Sequence, residues 1–312
     1  MKQNQTFLSS DGITTIHAVE WTPEDKPKAV VQLIHGMVEY IERYDDFANY
    51  LTSQGFVVVG HDHLGHGQFV RSIEDWGYIC DIAPARALIR DIHKLRKITS
   101  RKYSDIPYIM LGHSMGSYLL RRYLSHKGDG LSGAIIVGTG SEADLKIKAG
   151  LMLVRSTAQA KGWHYRSDIV TSMTFGGAPY NKYDMTGSNP EKSWLTKDTD
   201  IVRSYYNDDR CQFRFTLNGY EALMSTTLYV NQNDHIDRIP DDLPILLTSG
   251  EDDPVGNMGK GVKKVYEQLV KSGKYDTEIK LYPNMRHEIL NETERNEVYA
   301  DIVDWINRHM SN

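Results

Sequence analysis

Cysteine is nearly absent from this chain: Cys80 and Cys211 are the only two in 312 residues. Far apart and outside any metal-ligand spacing, they read as reduced thiols, which excludes a disulfide scaffold and a cysteine-based zinc site. Long apolar runs are missing too. No stretch approaches the roughly 18 apolar residues of a membrane span, and the first ten residues hold no apolar core of secretory-signal length. A cytoplasmic location is therefore expected. Basic runs are also lacking, and a net charge of −5 offers little to a nucleic-acid backbone or an anionic membrane as the main partner. A small neutral substrate suits the chain better.

What is present is ordinary for a globular protein, with 40% hydrophobic and 25% charged residues, in a chain long enough for one large domain or a domain with an insertion. A hairpin is expected over residues 6–10 and 13–21, turning at Asp11-Gly12. Apolar strands then alternate with helical spacing: strands at 29–34, 56–59, 106–111, 131–137, 243–248 and 277–282; helices at 43–54, 85–99, 117–123, 259–270 and 292–310. This rhythm predicts an α/β fold with a mostly parallel central sheet flanked by helices. It fails between Gly138 and Ile239, where one helix is expected at 146–161 and the rest reads as irregular. The predicted organisation is a core over 1–138, an inserted cap over 139–240, and the rest of the core over 241–312.

The strand at 106–111 runs into Gly112-His113-Ser114-Met115-Gly116 and then into a helix. A G-x-S-x-G match alone is weak. In a strand-to-helix context it becomes a sharp turn that exposes the Ser114 hydroxyl as a nucleophile. The chain order Ser, Asp, His then directs attention to Ser249-Gly250-Glu251-Asp252-Asp253-Pro254, where three carboxylates follow a strand. Pro254 biases Asp253 toward an extended backbone, which favours Asp253 as the acid, with Asp252 as runner-up. Only His287 and His309 lie beyond it. His309 sits at the end of the last helix, in a position to cap carbonyls, whereas His287 follows a strand and is the candidate base. Backbone N–H groups of Met37, after the strand at 29–34, and of Met115 are the candidate oxyanion donors.

The cluster His61-Asp62-His63-Leu64-Gly65-His66-Gly67 invites a metal reading, because it resembles the start of a metallo-β-lactamase site. Gly65 stands where that family has an acidic ligand. A glycine turn supporting the neighbouring oxyanion loop accounts for Asp62, Gly65 and Gly67 better, so no metal and no organic cofactor is expected. Met173, Met185, Met224, Trp163, Trp194, Phe213 and Phe215 are scattered through the insertion; such residues are more often core than ligand contacts, yet they also suit a pocket for an apolar chain.

Taken together, His35-Gly36 with Glu39 and Arg43-Tyr44, the histidine cluster through Gln68, the Ser114 turn, Gly250 with Asp253, and His287 resemble an α/β-hydrolase of the monoglyceride lipase and lysophospholipase-like group, which is related to serine aminopeptidases. The resemblance covers nearly the full length. It implies the α/β-hydrolase fold with a lid-like cap and a serine esterase acting through Ser114, Asp253 and His287. The Gly250 spacing in that family selects Asp253. An ester with an apolar acyl chain is the implied substrate, with transient membrane contact through the cap. A related alternative is cleavage of amides or peptides, which needs an acidic anchor such as Glu142, Asp144 or Glu221. A non-catalytic binding protein on the same fold is the remaining alternative.

Overall fold

The computed structural model describes residues 1–310. An eight-stranded sheet runs in the order β1-β2-β4-β3-β5-β6-β7-β8. Its strands are β1 (Lys2–Leu8), β2 (Thr15–Trp21), β3 (Ala29–Ile34), β4 (Phe56–His61), β5 (Tyr108–His113), β6 (Gly133–Val137), β7 (Ile245–Gly250) and β8 (Thr277–Tyr282). β1 and β2 pair antiparallel, as do β2 and β4, while every later pairing is parallel. The expected mostly parallel sheet is present.

The alternation of side chains along the inner strands divides the core in two. Val30, Val57, Met110, Ile136 and Leu247 point to one face. They pack with α2 (Pro84–Lys102), α3 (Met115–Lys127) and α9 (Lys260–Lys271) through residues such as Ile92, Leu120 and Val265. Val31, Val58, Leu111, Ile135 and Leu246 point to the other, against α1 (Asp45–Ser53) and α10 (Arg295–Met310) through Phe47, Ile302 and Trp305. Because both faces are covered, β3, β4, β5 and β6 are buried end to end, which explains their continuous apolar sequences. The one amide in β3, Gln32, is satisfied by donating to Ile92 O (3.0 Å) and accepting from Tyr108 Oη (2.6 Å).

Two local expectations shift. The hairpin turn is longer than Asp11-Gly12 alone, because Asp11 Oδ1 accepts from the N–H groups of Ile13 and Thr14 (2.8 Å each) and holds an open loop. The helix expected from residue 43 opens with a 3-10 turn, Ile41–Tyr44, before α1. The larger correction concerns the segment between β6 and β7: the helix expected at 146–161 is present, but the rest, which reads as irregular, holds further helices. The segment carries α4 (Asp144–Lys161), α5 (Asp168–Phe175), α6 (Thr199–Asn207), α7 (Leu217–Val230) and α8 (Asn233–Ile236). α7 is buried on several sides at once, including Asn218, Tyr220, Ala222 and Thr227, so its sequence shows no single apolar stripe. No helix among the described residues is long and apolar enough to cross a membrane.

Candidate active site

Ser114 sits between β5 and α3 at φ +54°, ψ −121°. A side chain other than glycine's is strained there, at a cost of about 1–3 kcal/mol, and close contacts hold it in place. A Cβ on Gly112 would lie 2.4 Å from Gly116 O, and one on Gly116 would lie 2.0 Å from Ile34 O. Only glycine lets β5, α3 and the end of β3 approach this closely. The Ser114 N–H donates to Val137 O (3.0 Å), which ties the turn to the end of β6.

Gly36 passes over the same serine, since a Cβ there would come within 3.0 Å of Ser114 Cβ. Met37 follows it, and Met115 opens α3. Neither backbone N–H has a hydrogen-bond partner among the described residues, and the first N–H of a helix has none within the helix. Met37, Ser114, Met115 and His287 all line one cavity of about 640 Å³. The four residues are thus brought to one surface, with two unpaired donors beside a hydroxyl.

His287 and Asp253 meet beneath it. His287 Nδ1 lies 3.0 Å from Asp253 Oδ1, and both residues are buried. The Asp253 carboxylate also accepts from the Val255 N–H (2.8 Å) and from Ser249 Oγ (3.0 Å). These bonds fix its orientation, and they make Nδ1 the donor toward it and leave Nε2 free. The two loops can lie this close because position 250 is glycine: a Cβ there would be 2.1 Å from Met285 O. Asp252 is not in the pair; it is half-buried, and its carbonyl accepts from Tyr183 Oη (2.6 Å). No hydrogen bond joins Ser114 Oγ to His287 in this state, as is common when no substrate tightens the site. His309, on α10, donates through Nδ1 to Trp305 O (2.8 Å).

Behind the Met37 loop lies a buried charge network that motif reading left without a role. Arg43 forms a fork onto Glu288 (2.8 Å for each oxygen) and reaches Glu39 Oε2 (3.0 Å). Glu39 accepts from the Gly36 N–H and from Tyr44 Oη (2.9 Å), and it faces His113 Nδ1 at 3.3 Å. Burial alone would lower the affinity of His113 for a proton, but the hydrogen-bonded Glu39 carboxylate outweighs it and raises the pKa above the ordinary value. Burial would likewise raise Glu39 and Glu288, yet His113 and Arg43 respectively hold both below the usual glutamate range. The i, i+4 spacing of Glu39 and Arg43 is a local signal for such a pair. The link to Glu288 has none.

The histidine cluster supports the same loop. His35 Nδ1 donates to Gly36 O (2.8 Å), so its Nε2 accepts from the His63 N–H (2.9 Å). His63 Nε2 in turn bonds His35 O (3.1 Å), and Asp62 Oδ1 accepts from the Ile41 N–H (2.8 Å). Burial, with mutual repulsion where the rings face each other, pushes His35 and His63 well below the ordinary value, while burial lowers His61 and His66 to about 4. Among the described residues no three His, Cys, Asp or Glu side chains stand together as metal ligands.

The opposite wall of the cavity comes from the segment between β6 and β7. Met173, Met185, Met224, Phe175, Trp194 and Phe213 line it, whereas Trp163 does not. Most of the residues that sequence statistics place in the core are therefore pocket wall. Of the three carboxylates considered as amine anchors, only Glu142 lines the cavity, and it is paired with Lys146 at 2.5 Å. Asp144 accepts from Asn231 and Gln232, and Glu221 is held by Arg155.

The family described as serine aminopeptidase, S33, matches residues 25–294. An uncharacterised abhydrolase domain-containing protein of Dictyostelium discoideum is 26% identical over 98% of this chain, which spans 29% of that protein's length. A monoacylglycerol lipase of Mycolicibacterium smegmatis is 24% identical, covering 99% of this chain and 98% of its own. Among solved structures, a highly thermostable carboxyl esterase from Bacillus coagulans, in complex with glycerol, is 31% identical with a TM-score of 0.90, covering 99% of both chains.

Proposed function

This chain has the α/β-hydrolase fold and belongs to the serine aminopeptidase S33 family, and from that premise we propose that it is a serine hydrolase of carboxylic esters acting on monoacylglycerol-like or lysophospholipid-like substrates. The observation that carries the reading is the positive-φ Ser114 at the base of an apolar cavity it shares with a buried, carboxylate-bonded His287. In this mechanism His287 Nε2 takes the proton of Ser114 as Oγ attacks the ester carbonyl, and Asp253 keeps the imidazole in the required tautomer and stabilises its cation. The Met37 and Met115 N–H groups receive the developing oxyanion. Collapse expels the alcohol with the proton from His287, and water then resolves the acyl-enzyme by the same steps in reverse.

We read residues 139–240 as the cap that sets acyl and alcohol selectivity. Its methionine and aromatic wall supports an apolar acyl chain, and the relatives that are a monoacylglycerol lipase and a carboxyl esterase support the bond type. Amide cleavage from a free amine is disfavoured, because each candidate anchor carboxylate already has a partner. The test compares a medium-chain monoacylglycerol with an aminoacyl anilide, using the wild type and Ser114→Ala. Turnover of the glyceride alone, abolished in the variant, is the expected result. Preferential turnover of the anilide would overturn the ester reading.

A further inference from the structure

The insertion does not only roof the cavity. Residues 191–197 are laced to residues 286–292, the loop that bears His287. Arg286 Nη1 donates to Ser193 O (2.5 Å) and Thr196 O (3.2 Å), and its Nη2 donates to Glu191 O (2.9 Å). The His287 and Glu288 N–H groups donate to Trp194 O (3.4 Å) and Leu195 O (2.7 Å). Thr196 Oγ1 donates to Asn291 O (3.0 Å), and the Lys197 N–H donates to Glu292 Oε2 (3.0 Å). Ser193, Thr196 and Glu292 are fully buried. A lid that swings away cannot be bound by this many bonds, so this part of the insertion is a fixed strap.

The strap delivers one ring to the site. The Trp194 indole stacks on the His287 imidazole with centroids 5.0 Å apart and planes 23° from parallel. The His113 ring lies 4.8 Å from the same imidazole, tilted by 40°. Gly138 runs along the Cε1 edge, where an added Cβ would lie 3.2 Å from His287 Cε1. Asp253 holds Nδ1. The ring is thus packed against two aromatic neighbours and bonded at Nδ1, which leaves Nε2 for the cavity that His287 lines.

We infer that Trp194 is a positioning residue for His287, presented by a strap that belongs to the catalytic machinery although it lies within the insertion. The inference rests on the ester-hydrolase reading above. An imidazole held only at Nδ1 can pivot about that bond; a flat aromatic face stops the pivot and favours the cation formed during acyl transfer. Small misplacements of a catalytic group cost up to about 10²-fold in rate. Trp194 also touches the pocket wall through Phe175 and Tyr180, at 6.3 and 6.2 Å between centroids, so the test must separate positioning from pocket shape.

The experiment measures kcat and KM for p-nitrophenyl acetate and p-nitrophenyl decanoate in the wild type, Trp194→Phe, Trp194→Leu and Ser114→Ala, with thermal unfolding as a check on folding. Positioning predicts that Trp194→Leu lowers kcat roughly ten- to hundredfold on both esters with KM for acetate within about twofold, and that Trp194→Phe, which keeps a flat face, recovers most of it. A change confined to KM for decanoate, or equal kcat losses in the Phe and Leu variants, would overturn it. Should Trp194→Leu fail to fold, the unbranched Trp194→Met replaces it under the same expectations. Turnover by Ser114→Ala would defeat the proposed chemistry itself, whereas an inert Ser114→Ala beside a fully active Trp194→Leu would defeat this inference alone.

Discussion

The two walls of the cavity are built on different terms. The core wall is made of backbone: glycines 36, 112, 116 and 250 admit contacts that any Cβ would block, and a buried Arg43, Glu39, Glu288 and His113 network braces them from behind. The insertion wall is made of side chains, largely methionine and aromatic, that lie against the cavity. Chemistry needs atoms fixed to fractions of an ångström, which close-packed backbone provides. Accommodation of an acyl chain needs adaptable apolar surface, which thioethers and rings provide. Residues 191–197 differ from those side chains, being bonded through backbone and buried polar groups to the loop that bears His287.

Substitutions on the two walls should therefore fail differently. On the core wall, Asp253→Asn should lower kcat by about 10⁴, by presenting His287 with the wrong tautomer, while KM stays near the wild-type value. Steady-state kinetics on one soluble ester checks this, and a loss under tenfold would remove Asp253 from its role. Gly36→Ala is next. Its Cβ would stand 2.5 Å from Glu39 Oε1 and 3.0 Å from Ser114 Cβ, so the loop must move and carry the Met37 N–H with it. A kcat loss of about 10²–10³, the cost of one oxyanion donor, is expected. On the insertion wall, Met224→Trp should instead lower kcat/KM for a decanoyl ester by roughly 10- to 100-fold and leave the acetyl ester nearly unchanged, because it fills the pocket without touching the donors. Equal losses on both esters would erase the distinction between the walls.

The smallest expected effect is on stability. Glu39 and Glu288 are held below the ordinary glutamate value of 4.5, in the order of burial opposed by hydrogen-bonded or charged partners. A depressed carboxylate contributes stability that is present above its unfolded pKa and is lost as pH falls through the folded value. Acidification from about pH 5 toward pH 2 should thus lower Tm steadily. Glu288→Gln should start from a lower Tm at neutral pH and show a shallower acid slope, as thermal denaturation at several pH values would reveal. An unchanged slope would mean that the network contributes nothing to stability.

The same contrast explains what the sequence made legible. The core half announces itself because close backbone approach selects glycine, and because strands buried on both faces select continuous apolar runs; Gly112, Gly116, Gly250 and the Ala29–Ile34 strand carry those signals directly. The proposed roles of Ser114, Asp253 and His287 rest on chain order and strand ends. The insertion carries weaker signals. α7 has no apolar stripe because it is buried on several sides, although Thr216, Asp198 and Ser167 each cap a helix there through the side-chain oxygen and mark the starts of α7, α6 and α5. The strap is silent for a different reason: its bonds to the His287 loop are accepted mainly by backbone carbonyls, which every residue type possesses. Glu288 and Arg43 pair across 245 positions of the chain, a relation that no local pattern encodes.

Whether Ser114 is an activated nucleophile can be read by fluorophosphonate treatment followed by intact-mass and peptide analysis, because the reagent reports an activated serine without assuming a substrate. One adduct per chain is expected, on the peptide containing Ser114, absent in Ser114→Ala and strongly slowed in His287→Ala. An adduct that persists in Ser114→Ala, or that maps to another residue, would contradict that role.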